Sequence, residues 1–251
     1  FKNIALDLKK LCKLNSRSFV VEAGSNDGTF LKNLKNVSQS RVLGVDPSQN
    51  ISKLAKSRGV KTLIGYFDKS NSIKIKKNYG EADLFYGANV FNHVENNFEF
   101  LSSARRLIKN NGYLVLEVPD LKSLIKKNGF DTIYHEHRHY YSAMSISKLL
   151  KKYNFKIIKI EKIKYMAGSL RVYAIKKKGE FREIKKYSSD NITKKKFANF
   201  CKKTALIIES IDKYILNKSK NNEIVYGIGA ATKGNTLLNC LKYSDKIKFI
   251  L

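Results

Sequence analysis

VEAGSNDGTFL, residues 21–31, is the stretch on which the reading of the chain turns. The β-rich run SFVVEAG (18–24) ends in Gly, and GTFLKNLKN follows with helical spacing at Phe30, Leu31 and Leu34. A strand that runs through a small-residue turn into a helix lets a backbone approach a ligand and leaves helix N–H groups open. RVLGVDP (41–47) reads as the next strand, with Pro47 suited to the first turn of a helix that closes at Gly59. VKTLIG, ADLFYGANV and GYLVLEVP read as strands three to five, with a helix from about Asn97 to Ile108 between the last two. Such alternation predicts an α/β fold with a parallel sheet covered by helices.

Further along, a helix over 145–153 leads into FKIIKIEKI and SLRVYAIKK, two β runs able to finish that sheet. A Lys-rich amphipathic helix follows at about 193–217. EIVYGIG, TKGNTLLNCLK and KIKFIL then open a second strand–helix–strand unit. The boundary is expected near residue 180, giving domains 1–180 and 181–251, the second truncated. The chain starts at Phe1 without a leader and stops inside a strand, so it is expected to be an internal piece of a longer protein.

Composition narrows the classes. With 43% hydrophobic residues and only two Pro, a folded core is expected, and no apolar run is long enough to cross a bilayer. Cys12, Cys201 and Cys240 lie far apart without CxxC spacing, so no structural zinc or disulfide framework is expected and a reducing cytoplasm fits. The net charge of +28 invites a nucleic-acid partner, but only eight of the 49 basic residues are Arg, and they are scattered. Lysines at Lys9–Lys10 and Lys151–Lys152 fit solvated helix faces, so no nucleic-acid partner is expected. Polyanion binding remains the alternative, with steep salt dependence as its signature.

Two sites stand out. At the first turn, Glu22 and Asp27 bring acid where a pyrophosphate would be repelled, whereas a sulfonium with an amino-acid tail would not be. Asp46, about twenty residues after the turn, is placed to accept hydrogen bonds from a ribose. This favours S-adenosylmethionine over a dinucleotide; a turn shaped for geometry alone, with Asp27 capping the helix, is the alternative. At the second site, the four His fall in GANVFNHVEN (His93) and IYHEHRHYYS (His135, His137, His139). Three readings compete there: polar loop residues, a metal set on one face of a strand, or a carbon acid–base site built on Tyr134, Glu136 and His137. The last is preferred, and no metal is expected. GIGAATKGN (227–235) reads as a backbone N–H cradle with Lys233 as its charge, or as a plain tight turn.

The strings VEAGSNDGTFLK, GVDPSQN, GANVFNHVEN, EVPDL, FDTIYHEHRHYYS, GSLRVY and YGIGAATKGNTLLN run in order along nearly the whole chain. They resemble the nucleotide-sugar C-methyltransferases of deoxysugar biosynthesis. The resemblance implies a class I methyltransferase sheet followed by a second, truncated Rossmann-like unit. It implies that His137, helped by Tyr134, removes a proton beside the ketone of a 4-keto-sugar nucleotide, and that the enolate takes the methyl group. Glu136 and His93 would line the sugar and its oxyanion. Glu22, Gly24, Asn26, Gly28, Asp46, Pro47, Phe67 and Asn89 are the expected cofactor contacts, with Asn89 also facing the substrate. Gly229, Lys233 and Asn235 would hold the nucleotide end, with Arg171 as a second charge. The family's CxxC zinc module is missing here, and Met166 and Ala167 replace a His and a Gly before GSLR.

Overall fold

The computed structural model describes residues 1–164, 168–177, 192–229 and 231–250. The sequence boundary near residue 180, together with Met166 and Ala167, lies outside the described residues. The chain divides into two compact units, Phe1–Asp120 with His139–Asp190, and Leu121–Arg138 with Asn191–Leu251.

The first unit holds a seven-stranded sheet. Its parallel strands are β1 (Phe19–Ala23), β2 (Arg41–Asp46), β3 (Thr62–Ile64), β4 (Ala82–Ala88) and β5 (Ile108–Pro119). The hairpin β6 (Phe155–Ile163) and β7 (Ser169–Lys176) completes it, β7 lying antiparallel to β5, in the order β3-β2-β1-β4-β5-β7-β6. Every residue of β1 is buried, as a central strand covered on both faces requires. Side chains alternate across it. Phe19, Val21 and Ala23 pack with Phe85, Leu114 and Leu116 toward α4 (Lys69–Tyr79), α5 (Asn97–Leu107) and α7 (Ala143–Lys152). Val20 packs with Leu84 and Val115 toward α1 (Lys2–Cys12), α2 (Thr29–Ser38) and α3 (Gln49–Ser57).

Strand order reverses between β1 and β4, so the carboxyl ends of these two strands open the crevice where such sheets bind ligands. Helix α1 buries Ile4, Ala5, Leu8 and Cys12 along one stripe. Helix α4 buries only Ser72 and Ile75, so its sequence carries no continuous apolar stripe. Pro47 precedes Ser48, the N-cap of α3, instead of sitting in the first turn. Lys9, Lys10, Lys151 and Lys152 are all exposed, in keeping with solvated faces. Among the described residues no helix is long and apolar enough to cross a membrane.

The second unit is discontinuous, which differs from a single division near residue 180. It comprises α6 (Leu121–Lys127), the 27-residue α8 (Lys194–Lys220) and the parallel pair β8 (Val225–Ile228) and β9 (Ile247–Ile250), joined through α9 (Thr232–Cys240). Leu121–Arg138 belongs here because α6 packs on α8, Asn128 donates to Thr204 (3.2 Å), and the turn Phe130–Thr132 packs on α9. The buried Asp212 on α8 accepts the backbone N–H groups of Lys242 and Tyr243 at 2.9 and 3.2 Å, fixing the end of α9 to α8.

Gly44 tests the tightness of the first unit. A Cβ there would lie 2.7 Å from Cβ of Ser25, which is buried in the loop after β1. Gly44→Ala should cost about 1–3 kcal/mol as that loop is displaced. A thermal melt would read it as a lower midpoint; an unchanged midpoint would contradict the packing described.

Candidate active site

The loop after β1 turns tightly: Gly24, Asn26 and Gly28 have left-handed φ of 66°, 49° and 72°, and Gly28 N–H closes back on the Ser25 carbonyl at 3.0 Å. Asp46 ties this loop to the next. Its carboxylate accepts the N–H of Asn26 and of Ser48, both at 2.9 Å, and Gly24 N–H donates to the Val45 carbonyl at 2.8 Å. A carboxylate has about four lone-pair directions, so Asp46 retains acceptor capacity for a diol.

Beside the loop lies a cavity of about 770 Å³ whose wall includes Glu22, Asn26, Tyr86, Asn89, Glu117 and Arg171. Gly24 also lines it, whereas Gly28, Asp46, Pro47 and Phe67 lie outside its wall. The Phe67 ring, partly buried, packs against the core, 4.5 Å from Phe85 and 5.3 Å from Phe100. Pro47 is exposed. Asn89 follows β4 with φ of 51°, its N–H bonded to the Glu117 carbonyl at 2.9 Å.

Alternation puts Glu22 of β1, Tyr86 of β4, Glu117 of β5 and Arg171 of β7 on one face of the sheet, in adjacent strands. Glu117 Oε1 accepts Tyr86 O–H at 2.5 Å and Arg171 Nε–H at 2.6 Å. Arg171 also reaches Glu161 at 3.8 Å. The guanidinium is thus committed to carboxylates within the sheet, whereas the sequence reading reserved it for substrate. Burial, then the charges of Asp46, Glu117 and Asp27, push the Glu22 carboxyl well above its ordinary value. Its Oε2 is buried without a hydrogen-bond partner. Asp27 is not an open charge: it pairs with Arg58 and accepts Thr29 N–H at 3.0 Å. Partial burial disfavours its ionised form, but Arg58 and Thr29 outweigh that and hold the carboxyl below its ordinary range. Glu22 and Glu117 line the cavity with Arg171, and Asp27 and Lys164 line it as well. The orphaned Oε2 of Glu22 suits a ligand that brings a hydrogen-bond donor, as S-adenosylmethionine does.

His93 follows Asn92 in the loop after β4, its N–H on the Val90 carbonyl at 3.0 Å. In the second unit, Tyr134 and His137 form a dyad with Oη and Nε2 3.0 Å apart and rings 4.2 Å apart. His137 Nδ1 lies 2.8 Å from the Thr132 carbonyl oxygen. A carbonyl only accepts, so Nδ1 carries a hydrogen; in the neutral ring Nε2 then carries the lone pair and Tyr134 donates to it. Burial, then Glu136, raises the Tyr134 hydroxyl above its ordinary value and keeps it a donor. Glu136 and His135 are exposed, 4.0 Å apart. Residues 133–140 form turns and coil, so His135, His137 and His139 do not share a strand face. Among the described residues no group of three His, Cys, Asp or Glu is arranged to hold a metal ion.

The same unit carries the Gly-rich loop. Gly229 has φ of 87°, and Ala231 caps α9 without a side-chain hydrogen bond, leaving the first-turn N–H groups of Lys233 and its neighbours to other acceptors. Asn235 N–H is already bonded to the Ala231 carbonyl (3.2 Å). Sequence reasoning missed Tyr86, Arg58 and Glu117. A carboxylate inside the apolar run of β5 was the signal available for Glu117.

The chain matches the family described as "Methyltransferase domain" over residues 2–160, and the "C-methyltransferase C-terminal domain" over 164–251. It belongs to the class I S-adenosylmethionine-dependent methyltransferases. It is 30% identical over 234 residues to the C-methyltransferase NovU of Streptomyces niveus, covering 90% of this chain and 55% of that protein. It is 28% identical over 145 residues to the uncharacterised protein MJ1123 of Methanocaldococcus jannaschii, covering 55% of this chain and 65% of that one. The chain therefore spans less than two thirds of either relative. Among solved structures, magnesium protoporphyrin IX methyltransferase of Synechocystis, with bound S-adenosylhomocysteine, is similar at a TM-score of 0.54 and 16% identity, covering 69% of this chain and 80% of that one. Geranyl diphosphate C-methyltransferase of Streptomyces coelicolor gives 0.52 and 13%, covering 69% and 77%. These two likenesses establish the methyltransferase fold.

Two outcomes follow from the buried charges. Arg171→Met leaves Glu117 without its cation in a site where both side chains are largely buried, 16% and 8% exposed. The loss should be about 3–5 kcal/mol, measured by denaturant unfolding; a loss below 1 kcal/mol would refute the pairing. Glu22 is the reverse case. In the folded chain it keeps a proton that the unfolded chain releases above the ordinary value of 4.5. Its contribution to stability is full below that value and declines as pH rises through the raised one. Glu22→Gln should flatten that decline and raise the melting midpoint at neutral pH, while weakening S-adenosylhomocysteine binding. A lower midpoint would count against the account.

Proposed function

We propose that the protein transfers a methyl group to a carbon next to the ketone of a nucleotide-linked 4-keto-deoxysugar. The observation that carries this reading is the Tyr134–His137 dyad, with Nδ1 fixed on the Thr132 carbonyl and Nε2 left as the proton acceptor. A hydroxyl or amine acceptor needs less help in losing its proton than a C–H does, so a dedicated base fits carbon chemistry. Bound S-adenosylmethionine supplies an electrophilic methyl group on a sulfonium. Glu22, Gly24, Asn26, Gly28, Asp46, Pro47, Phe67 and Asn89 are the residues proposed to hold it, Asp46 at the ribose and the left-handed loop at the amino-acid tail.

His137 Nε2 takes the proton from the acidified carbon, and the C–H electron pair moves into the enolate. Tyr134 turns its O–H from Nε2 to the enolate oxygen, where its raised pKa keeps it a donor. His93 and Glu136 are assigned to the sugar and its oxygen, and Asn89 to both ligands. Gly229, in the loop before α9, and Lys233 and Asn235, at the start of α9, are assigned to the diphosphate. The proposed role of Arg171 changes from substrate contact to holding Glu117 in the cavity wall. The reading places the enzyme in the cytoplasm, with a nucleotide sugar rather than nucleic acid as partner.

His137→Ala should lower kcat by about 10²–10⁴-fold, the usual contribution of a positioned base. Affinity for S-adenosylhomocysteine, measured by calorimetry, should be nearly unchanged. Near-normal turnover in that variant would remove His137 as the base.

A further inference from the structure

The dyad sits on an excursion. The chain leaves the first unit at Asp120 and re-enters it at His139. Both ends are fastened there. Asp120, 2% exposed, forms an isolated parallel β-bridge with Tyr141 and donates its N–H to the Gly168 carbonyl at 3.0 Å. The Tyr141 ring, 5% exposed, lies flat on Phe91, with centroids 5.1 Å apart and planes 11° from parallel. Its hydroxyl accepts from Asn97 at 3.3 Å. His139 N–H donates to the Asn92 carbonyl at 3.1 Å. Ser142, the next residue, closes a capping box with Ser145, so the chain passes directly into α7.

Phe91 and Asn92 belong to the loop that follows β4 and carries Asn89 and His93. The stem of the excursion is therefore clamped on the loop next to the cofactor cavity. A stacked aromatic pair adds about 0.5–1.5 kcal/mol beyond its buried area, and a flat stack also fixes orientation. The backbone bond from His139 to Asn92 sets the register of the same contact.

We propose that Tyr141 is a positioning residue: its ring, stacked on Phe91 at the stem of the excursion, holds the Tyr134–His137 dyad in its working arrangement. The residue touches neither reactant and acts through the chain it anchors. This rests on the proposed carbon acid–base role of the dyad, so the test includes a readout that needs no turnover.

The experiment compares Tyr141→Phe, which keeps the ring and drops the hydroxyl, with Tyr141→Leu, which fills the space without a flat ring. With four His in the chain, ring resonances can be assigned by NMR, and the Nδ1–H of His137 on the Thr132 carbonyl gives a protected signal. In the full-length protein, Tyr141→Leu should broaden or lose that signal and lower kcat at least ten-fold. Its S-adenosylhomocysteine dissociation constant should stay within about two-fold of wild type by calorimetry. Tyr141→Phe should match wild type within about two-fold in all three. A wild-type His137 signal in Tyr141→Leu would overturn the proposal. So would equal damage in Tyr141→Phe, or cofactor affinity falling in step with kcat, which would mark a general packing role. If the wild-type protein methylated no keto-sugar nucleotide, the functional reading would fail while the His137 signal still decided the role of Tyr141.

Discussion

Burying Glu117 in the middle of the sheet requires Arg171 opposite it. An isolated carboxylate there would carry a desolvation cost of several kcal/mol. The cation arrives on β7, which runs antiparallel to β5, and the register places Arg171 directly across from Glu117. The pair then fixes more than itself. Tyr86 donates to the same carboxylate, so the polar row runs from β4 through β5 to β7 and on to Glu161 of β6. Below that row the face is apolar, sealed by α1 and α2. Above it, at the carboxyl ends of the strands, the row becomes the wall of the cavity.

Glu22 stands at the edge of this row under different terms. Burial and the acids Asp46, Glu117 and Asp27 hold its carboxyl well above the ordinary value. Its Oε2 is buried without a hydrogen-bond partner among the described residues. Asp46 shows the complementary economy: two backbone N–H groups use part of its capacity and so place both loops around the remaining lone pairs. Fold and ligand site are here served by the same side chains.

The second unit divides the labour differently. Asp212 and the α6–α8 contact organise it, and it presents the dyad and the Gly-rich loop on neighbouring elements, since the turn Phe130–Thr132 packs on α9. The Thr132 carbonyl accepts the Nδ1 hydrogen of His137 and so fixes the orientation of the ring. The exposed Lys residues along the helices contribute to the charge of +28 without entering either site.

The sequence by itself determined the alternating α/β order, the turn after β1, the acid ending β2, and the grouping of the His residues. These are local patterns, carried by strand apolarity and by residues that a turn needs. The Tyr134–His137 pairing was also legible, because the two are three residues apart in one turn. What only the tertiary structure decided were the contacts between residues distant in the chain. Arg58 neutralises Asp27 from 31 positions away, and Arg171 meets Glu117 from 54. Both depend on register, and register is fixed by the packing of whole strands and helices, which no local motif encodes. Phe67 packs against the core for the same reason, its ring drawn to Phe85 and Phe100. The excursion Leu121–Arg138 joined the second unit through contacts with α8 and α9, elements that lie at least 50 residues further along the chain.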